Sequence, residues 1–418
     1  MSDSNGGARK GRNCRDHLFI VNGILNYVLK EKRPPIDLLI YDIETAFDKL
    51  GLREALNELW ETGVQDDKFA LLYELNKKLK ILVKSTNFET ERESVDEIVA
   101  QGGVFGGLKC SNVIDTIGKE CLKSGENVFV YKNCVNVPPL AFVDDLFAIS
   151  ECGSQSVITN SFINAKVDQK NLRFGIDKEK GTAKKCRQIH VGRENQFCPE
   201  LKADYAPIPK VTEDKYLGDM ISYDGSISKT LKLRESKGTG AISQIMTILK
   251  MVSLGQHYMR MAILMRNTHF INKVLVNSEV WYPIKEDDFK KLEKLDESLL
   301  RQILQVNAST PIELLYLELG LIPLRDLVKC RRILFLHNIL TRNENQLLFR
   351  FFKAQNRSPS QGDWSEIVKK DLSDLSLKFT FDEVKKFKYE NFKNIVKKAC
   401  KIYTFNRLLS VSYTHLRA

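Results

Sequence analysis

The first half of the chain alternates between short apolar runs and segments with helical spacing. Residues 38–41 form an apolar run of the buried-strand type, which meets Asp42 and gives way to the helix-like ETAFDKLGLREALNELW. A second apolar run, PLAFVDDLFAIS at 139–150, is rich in strand-forming residues and carries two adjacent aspartates in its middle. The pattern predicts a strand ending at Asp42 and a hairpin with strands at 140–143 and 146–149.

The second half of the chain is periodic at the helical spacing. Its predicted helical segments are residues 240–282, 288–306, 309–320 and 322–342. The third segment, STPIELLYLELG, has the form of a capping box, with Thr310 as the cap, Pro311 at the first helical position and Glu313 three residues after the cap. Gly320 is the expected stop signal.

Net charge is unevenly distributed. The chain of 418 residues carries a formal net charge of +11. Residues 201–418 hold 36 Lys and Arg against 24 Asp and Glu, whereas the first 200 residues hold 28 against 29. The densest basic stretch, 384–409, interleaves lysines with aromatic residues. Such a stripe attracts polyanions and can stack on bases, but a solvated helix face has the same composition.

The composition is that of an ordinary globular protein, with 43% hydrophobic residues and no low-complexity tract. No apolar run reaches the length of a membrane span, and the first residues do not form a signal peptide. The nine cysteines are scattered without a C-x2-C pair, which argues against a zinc knuckle. We therefore expect reduced thiols in an intracellular protein of the nucleus or cytoplasm, neither secreted nor bound to a membrane.

Asp144 and Asp145 allow two interpretations. Aspartate is a common turn residue, so the pair can simply close the hairpin. Adjacent carboxylates also repel each other unless a cation lies between them, so the same pair can be a metal site. Asp42 can be a helix N-cap, or a third carboxylate for two divalent ions, as two-metal phosphoryl transfer requires. Oxygen-only ligands favour Mg²⁺, with Mn²⁺ as a possible substitute.

Six segments together resemble the reverse transcriptase domain of non-LTR (LINE-type) retrotransposons. In the family's order they are NGGARKGRNCRDHLFIVN (5–22) for the fingers, YDIETAFD (41–48) for motif A, QGGVFGGL (101–108) for motif B, FVDD (142–145) for motif C, KKCRQIHVG (184–192) for motif D and KYLGDMIS (215–222) for the primer grip. The resemblance covers most of the chain. It departs from the family at Gly107, where a proline is usual, and at Ala8, where an aromatic residue is usual.

The resemblance implies a role for each matching position. Asp42, Asp144 and Asp145 would be catalytic and hold two Mg²⁺ ions. Phe47 would be the steric gate that excludes a ribose 2′-hydroxyl, although a phenylalanine at the start of an amphipathic helix is also an ordinary core residue. The remaining implied positions are Gln101 and Gly102 against the nucleotide and template, Arg9 and Arg12 on the triphosphate or template, Lys185 or its neighbour Lys184 as the acid that protonates pyrophosphate, and Tyr216, Leu217 and Gly218 at the primer end.

The implied fold class is α+β, a right-hand polymerase with partial fingers, a palm with an antiparallel sheet, a helical thumb and a helical C-terminal extension. The predicted boundaries are 1–35 for the fingers, 36–228 for the palm, 229–306 for the thumb, 307–409 for the basic extension and 410–418 for a non-native tail. Basic residues of the extension, Arg325, Lys329, Arg331 and Arg332, could contact a template–primer backbone or form a solvated face. Because the chain starts almost at the fingers motif, we expect a fragment or a decayed copy.

The implied activity is RNA-directed DNA polymerisation, with an RNA template, a DNA primer and dNTPs as partners. A longer element protein would supply an endonuclease and the missing fingers. Two alternatives stay open: a catalytically inactive remnant that still binds nucleic acid, and an RNA-directed RNA polymerase, which shares the metal-binding acids. Phe47 argues against the latter, because an enzyme that uses ribonucleotides has no use for a bulky gate.

Overall fold

The computed structural model describes residues 2–7, 9–44, 50–77, 80–81, 86, 89, 93–94, 106–192, 198–251 and 256–416. The chain divides into two compact units. The N-terminal unit comprises Met1–His17 and Glu31–Asp214, and the C-terminal unit comprises Leu18–Lys30 and Lys215–Ala418. No helix in the described part of the chain is both long enough and apolar enough to cross a membrane.

The N-terminal unit combines short strands with five helices among its described residues. The helices are α1 (Cys14–Lys30, which continues into the C-terminal unit), α2 (Leu52–Glu61), α3 (Asp66–Lys77), α4 (Gly106–Ser124) and α5 (Ser154–Gln169). The strands are β1 (Ile36–Asp42), β2 (Lys80–Ile81), β3 (Glu93–Ser94), β4 (Phe129–Tyr131), β5 (Val135–Val137), β6 (Leu140–Phe142), β7 (Asp145–Glu151), β8 (Ile176–Asp177), β9 (Thr182–Ala183), β10 (Arg187–Val191), β11 (Lys202–Ala203) and β12 (Ala206–Pro207).

The central feature of this unit is a four-stranded antiparallel sheet in the order β10-β1-β7-β6. β1 lies inside the sheet, and its residues 36–41 are all buried. Leu39 and Tyr41 belong to a hydrophobic core that also contains Ile114 of α4 and Ile163 of α5. Burial on both faces explains why the sequence of β1 is a continuous apolar run rather than an alternating one.

The predicted hairpin is present, with a small shift. β6 and β7 pair as far as Phe142 opposite Asp145, so the two-residue turn is Val143–Asp144 and Asp145 is the first residue of a strand. Val143 has φ +62°, a left-handed conformation that is rare for a β-branched residue. Its carbonyl lies 3.9 Å from Cys110 Sγ on α4. The turn is therefore held in a conformation that its own residues do not favour.

The C-terminal unit is mainly helical. After the hairpin of β13 (Glu213–Tyr216, where the chain enters this unit) and β14 (Asp219–Ser222), its elements are α6 (Ser228–Lys250), α7 (Gln256–Met265), a π-helix (Arg266–Phe270), α8 (Ile271–Val274), a 3₁₀ turn (Ser278–Val280), α9 (Glu286–Leu304), α10 (Ile312–Glu318), α11 (Leu324–Leu340), α12 (Leu347–Arg357), α13 (Trp364–Asp374), α14 (Phe381–Lys386) and α15 (Tyr389–Leu416). Together the two units confirm the predicted α+β class with an antiparallel sheet and a helical C-terminal region.

The structure corrects one predicted helix cap. α10 begins at Ile312 with Pro311 as its N-cap, and no side chain caps it. Thr310 therefore lies one residue too early for its hydroxyl to reach the first turn, and its carbonyl accepts a hydrogen bond from Arg301. Gly320, with φ +60°, lies just past the helix end as expected. The capping box that does form is at Thr380, whose hydroxyl accepts from the Glu383 backbone amide.

The basic residues on α11 make contacts within the C-terminal unit, so they do not form the solvated face that was the alternative prediction. Three of them form ion pairs within the C-terminal unit: Arg325 with Glu286 and Glu293, Lys329 with Asp374, and Arg332 with Asp371. Arg331 donates a hydrogen bond to the backbone carbonyl of Leu275. Partners of opposite charge already neutralise three of the four side chains, so their role is to join helices rather than to face a nucleic-acid backbone.

Candidate active site

The three predicted catalytic acids meet at one end of the central sheet. Asp42 is the last residue of β1 and lies directly opposite Asp145, the first residue of β7. Directly opposed side chains on neighbouring strands point to the same face of the sheet. Asp144, which lies in the hairpin turn, directly precedes Asp145. Residues about 100 positions apart in the sequence are thereby brought to one place.

The carboxylates of this cluster influence one another. The pKa of Asp145 is raised from its ordinary 3.8 to about 6, first by burial and then by the negative charges of Asp144 and Asp42. Lys185 acts in the opposite direction but does not compensate. The local charge is therefore unfavourable for an ionised Asp145 and would become favourable beside a cation.

Lys185 forms an ion pair with Asp42. Its Nζ lies 3.1 Å from Asp42 Oδ1, and this contact raises the pKa of Lys185. The side chain of Lys185 is 65% exposed and that of Asp42 24% exposed, so the pair is open to solvent. The contact shown for Lys184 is made by its backbone, whose amide donates to the Gly175 carbonyl. Of the two lysines, Lys185 is the one whose side chain contacts a predicted catalytic acid.

The donor set of this site fits magnesium. All three side chains offer only carboxylate oxygens, which hard divalent cations prefer. The pKa of Asp145 is raised first by burial and then by the neighbouring carboxylates, and a bound cation would oppose both effects. Among the described residues, the oxygens of these three acids do not all lie within 4.8 Å of one another. Three carboxylates repel one another, which favours such a separation.

An N-terminal segment that the sequence analysis underrated packs along the motif C hairpin. Asn5 bridges to Ala141 of β6, and the Gly6 amide donates to the Ala141 carbonyl at 2.9 Å. A Cβ on Gly7 would lie 2.3 Å from the Val143 backbone nitrogen, so only glycine allows this approach to the turn. The adjacent glycines at positions 6 and 7 were the available signal for this close contact.

The two arginines of the fingers motif bind this same segment. Arg12 pairs with Asp3 at 2.6 Å and is only 6% exposed. Arg9 donates to the carbonyls of Ser2 and Asn5, and burial lowers its pKa. In this conformation both guanidinium groups are used by the protein itself. A role on triphosphate or template therefore stays a prediction for both residues.

Three other predicted site residues, Phe47, Gln101 and Gly102, lie outside the described residues. Motif B becomes visible only at its end, where Gly106 and Gly107 begin α4. Position 107, the departure from the family's proline, is thus the second residue of a helix, which suits either residue type.

The predicted primer-grip residues form a rigid turn in the C-terminal unit. Tyr216 is buried, and Leu217 and Gly218 both have positive φ, at +45° and +95°. The turn carbonyls are held by side chains: Arg234 donates to the Gly218 carbonyl at 2.9 Å, and Asn277 donates to the Leu217 carbonyl at 3.2 Å. The turn is therefore fixed by long-range hydrogen bonds rather than by local sequence alone.

Comparisons with known proteins identify neighbours by structure only. No family model and no curated protein matches the chain. The chain is similar to telomerase from Candida tropicalis (apo form; 10% identity, TM-score 0.41, 88% of this chain and 57% of that one). It is also similar to telomerases of Candida tropicalis and Candida albicans in complex with a TWJ fragment of telomeric RNA, at 13% and 12% identity, with TM-scores of 0.37 and 0.36. These two matches cover 74% and 72% of this chain and 54% and 52% of the telomerases, so the chain spans little more than half the length of the proteins it matches.

Proposed function

We propose that this chain is an RNA-directed DNA polymerase of the non-LTR retroelement type, which transfers dNTPs onto a primer 3′-hydroxyl on an RNA template. The observation that carries the proposal is the direct pairing of Asp42 with Asp145, beside Asp144, at the end of a buried strand. A hairpin closed by aspartate for turn chemistry alone would not require a third acid opposite the pair. Site residues, rather than overall likeness, are the basis for the assignment.

In this proposal each residue of the site has a separate role. Asp42, Asp144 and Asp145 would hold two Mg²⁺ ions, which would supply Lewis-acid activation of the primer hydroxyl and positive charge for the pyrophosphate. Lys185, 3.1 Å from Asp42, orients that carboxylate and carries the proton that the pyrophosphate needs. The contact with Asp42 raises the pKa of Lys185, so the side chain is protonated at neutral pH.

The proposed substrates and setting follow from the family resemblance. Phe47 would reject ribonucleotides, so dNTPs rather than NTPs are the expected substrates. A longer element protein would supply the endonuclease and further fingers, and the activity would take place in the nucleus or cytoplasm. Mn²⁺ is expected to replace Mg²⁺, because both accept oxygen ligands.

Primer extension on poly(rA)·oligo(dT) with Mg²⁺ tests the proposal. The native chain is compared with Asp144→Ala and with Glu179→Ala, a control that removes an exposed carboxylate from the same unit. Extension by the native chain and the control, but not by Asp144→Ala, supports the polymerase. Absence of extension from the native chain, with salt-sensitive binding to the duplex retained, would replace it with the second candidate, an inactive nucleic-acid-binding remnant.

A second comparison tests the role of Lys185. Its matched control is Lys184→Ala, which removes the same charge from the adjacent position. If Lys185 donates the proton, Lys185→Ala should lower the rate constant for nucleotide addition by about a hundredfold or more, while Lys184→Ala changes it little. Equal effects of the two substitutions would show that only general positive charge is needed, and would remove the assignment.

A further inference from the structure

A second group of ligand-type side chains lies in the N-terminal unit, at the other end of β1. The group, named here the Asp37 cluster, consists of Asp37, Cys152, His190 and Cys198. One ligand atom from each member lies within 4.8 Å of those of the others. In the described part of the chain, this is the one set of three or more His, Cys, Asp or Glu residues that meets this criterion.

The sheet itself builds this cluster. Asp37 on β1 lies directly opposite His190 on β10, and His190 Nδ1 is 3.0 Å from Asp37 Oδ1. Cys152 directly follows β7, and its backbone amide donates to the Pro35 carbonyl at 2.9 Å. Cys198 Sγ lies 3.7 Å from Asp37 Oδ1. β10, the residue after β7 and the segment after β10 therefore converge on the Asp37 carboxylate of β1.

Two polar atoms of the cluster lack a partner. Asp37 is completely buried, yet its Oδ2 has no hydrogen-bond partner in the described structure, and the same holds for the buried Nε2 of His190. A buried polar atom without a partner is destabilising, and more so when it is charged. His190 Nδ1 lies 3.0 Å from Asp37 Oδ1, and either nitrogen of a neutral imidazole can bind a metal. A cation held by the cluster would supply the positive charge that the buried carboxylate of Asp37 needs.

The donor types select the cation. Two sulfurs, one nitrogen and one oxygen match zinc, which binds Cys, His and Asp in tetrahedral sites. Magnesium does not suit thiolate ligands, so the Asp37 cluster differs in chemistry from the all-carboxylate group at Asp42. Cys152, His190 and Cys198 are each partly exposed, which leaves a path for the ion to enter.

We propose that the Asp37 cluster is a structural zinc site. Four protein ligands fill a tetrahedral shell and leave no position for substrate, which is the arrangement of structural rather than catalytic zinc. Along β1 the cluster is five residues from Asp42, a separation of about 17 Å at the usual rise per residue, and alternation places the two side chains on opposite faces of the sheet. The zinc ion would fasten β1, β7 and β10 to the segment that carries Cys198. Binding releases the thiol protons to solvent as Zn²⁺ takes their place.

Metal titration of the full chain tests this site. The chain is purified with a reductant, stripped with a chelator and titrated with Zn²⁺, or with Co²⁺ as a spectroscopic probe of thiolate ligation. We expect one Zn²⁺ per chain that millimolar Mg²⁺ does not displace. Cys198→Ser should weaken Zn²⁺ binding about a hundredfold or more, whereas Cys134→Ser, a control at an exposed cysteine, should not change it. Asp144→Ala should also leave it unchanged, because that residue belongs to the other group.

Cysteine alkylation of the unmodified chain tests the zinc site even if Cys198→Ser does not fold. Bound Zn²⁺ should protect Cys152 and Cys198 from alkylation while Cys134 reacts, as peptide mass spectrometry would show. Equal labelling with and without Zn²⁺, or Zn²⁺ affinity unchanged in Cys198→Ser, would overturn the site. The site would also be overturned if the chain, purified in a reducing buffer, contained a Cys152–Cys198 disulfide and bound no metal.

Discussion

Replacing Asp145 by asparagine should raise the stability of the chain and abolish its activity. The change keeps the shape of the side chain and removes one negative charge from the acid cluster. Without divalent ions the charged Asp145 is unfavourable, because burial, Asp144 and Asp42 all raise its pKa. We therefore expect Asp145→Asn to be more stable than the native chain in a chelating buffer at pH 7.5, and to be inactive in primer extension.

The magnitude follows from linkage between protonation and folding. A rise in the pKa of Asp145 from its ordinary 3.8 to about 6 corresponds to a cost of about 3 kcal/mol for the ionised form. The group is partly open to solvent, which screens its charge, so we expect about half of this, ~1.5 kcal/mol. Because the folded state holds the proton more tightly than the unfolded chain, the cost exists above pH 6 and disappears below pH 3.8.

Urea unfolding with a chelator, at pH 7.5 and again near pH 4, measures this difference. The gain of Asp145→Asn should be clear at the higher pH and small at the lower one. Glu179→Gln is the control, since it removes an exposed carboxylate from the same unit and should change the free energy of unfolding by only a few tenths of a kcal/mol. A variant less stable than the native chain at pH 7.5 would refute the reasoning. Added Mg²⁺ should then stabilise the native chain more than the variant.

Three further predictions concern the supporting structure. Asp296→Ala should lower the free energy of unfolding by about 3–5 kcal/mol, because Arg266, whose Nε lies 2.7 Å from Asp296 Oδ1, would stay buried without its ion pair. Urea unfolding measures this loss, and a loss under 1 kcal/mol would contradict the prediction. Burial lowers the pKa of His17 to about 3, so stability is complete above pH 6.5 and should fall by up to about 1.4 kcal/mol per pH unit below it; His17→Phe should show a shallower pH profile, and identical profiles would count against this. Thr380→Ala should cost about 1 kcal/mol by removing the capping box with Glu383, measurable by thermal unfolding, whereas an unchanged melting temperature would mean that the cap contributes nothing.

Local features were predictable where local chemistry decides them. The strand ending at Asp42 and the aspartate hairpin follow from apolar runs and turn residues within a dozen positions of each other. The capping boxes show the limit of such patterns. Thr310 and Thr380 both precede a glutamate by three residues, but α10 begins one residue late, after Pro311, so only Thr380 is a cap. A sequence pattern cannot tell which of two adjacent residues a helix will start from.

Long-range features were not predictable from local patterns. Arg325 pairs with a residue on α9 and Arg332 with a residue on α13, and both partners lie more than 30 residues away in the sequence. Without knowledge of these partners, a basic helix looks like a nucleic-acid-binding surface. The Asp37 cluster is hidden in the same way. Its cysteines have no metal-binding spacing, since Cys152 and Cys198 are 46 positions apart, and Asp37 reads as one polar residue in an apolar strand.

The register of β1 connects the acid cluster with the Asp37 cluster. One pairing scheme sets Asp42 opposite Asp145 on β7 and Asp37 opposite His190 on β10. A slip of one residue would separate both pairs and would move Leu39 and Tyr41 to the opposite face of the sheet. The pairing of β1 with β7 and β10 is therefore one constraint on the geometry of both sites. A metal at the Asp37 cluster would add a second constraint on the same register, at the end of the strand away from the acids. Zinc removal should then weaken the alignment of Asp42 with Asp145, although none of the proposed zinc ligands is one of the predicted catalytic acids.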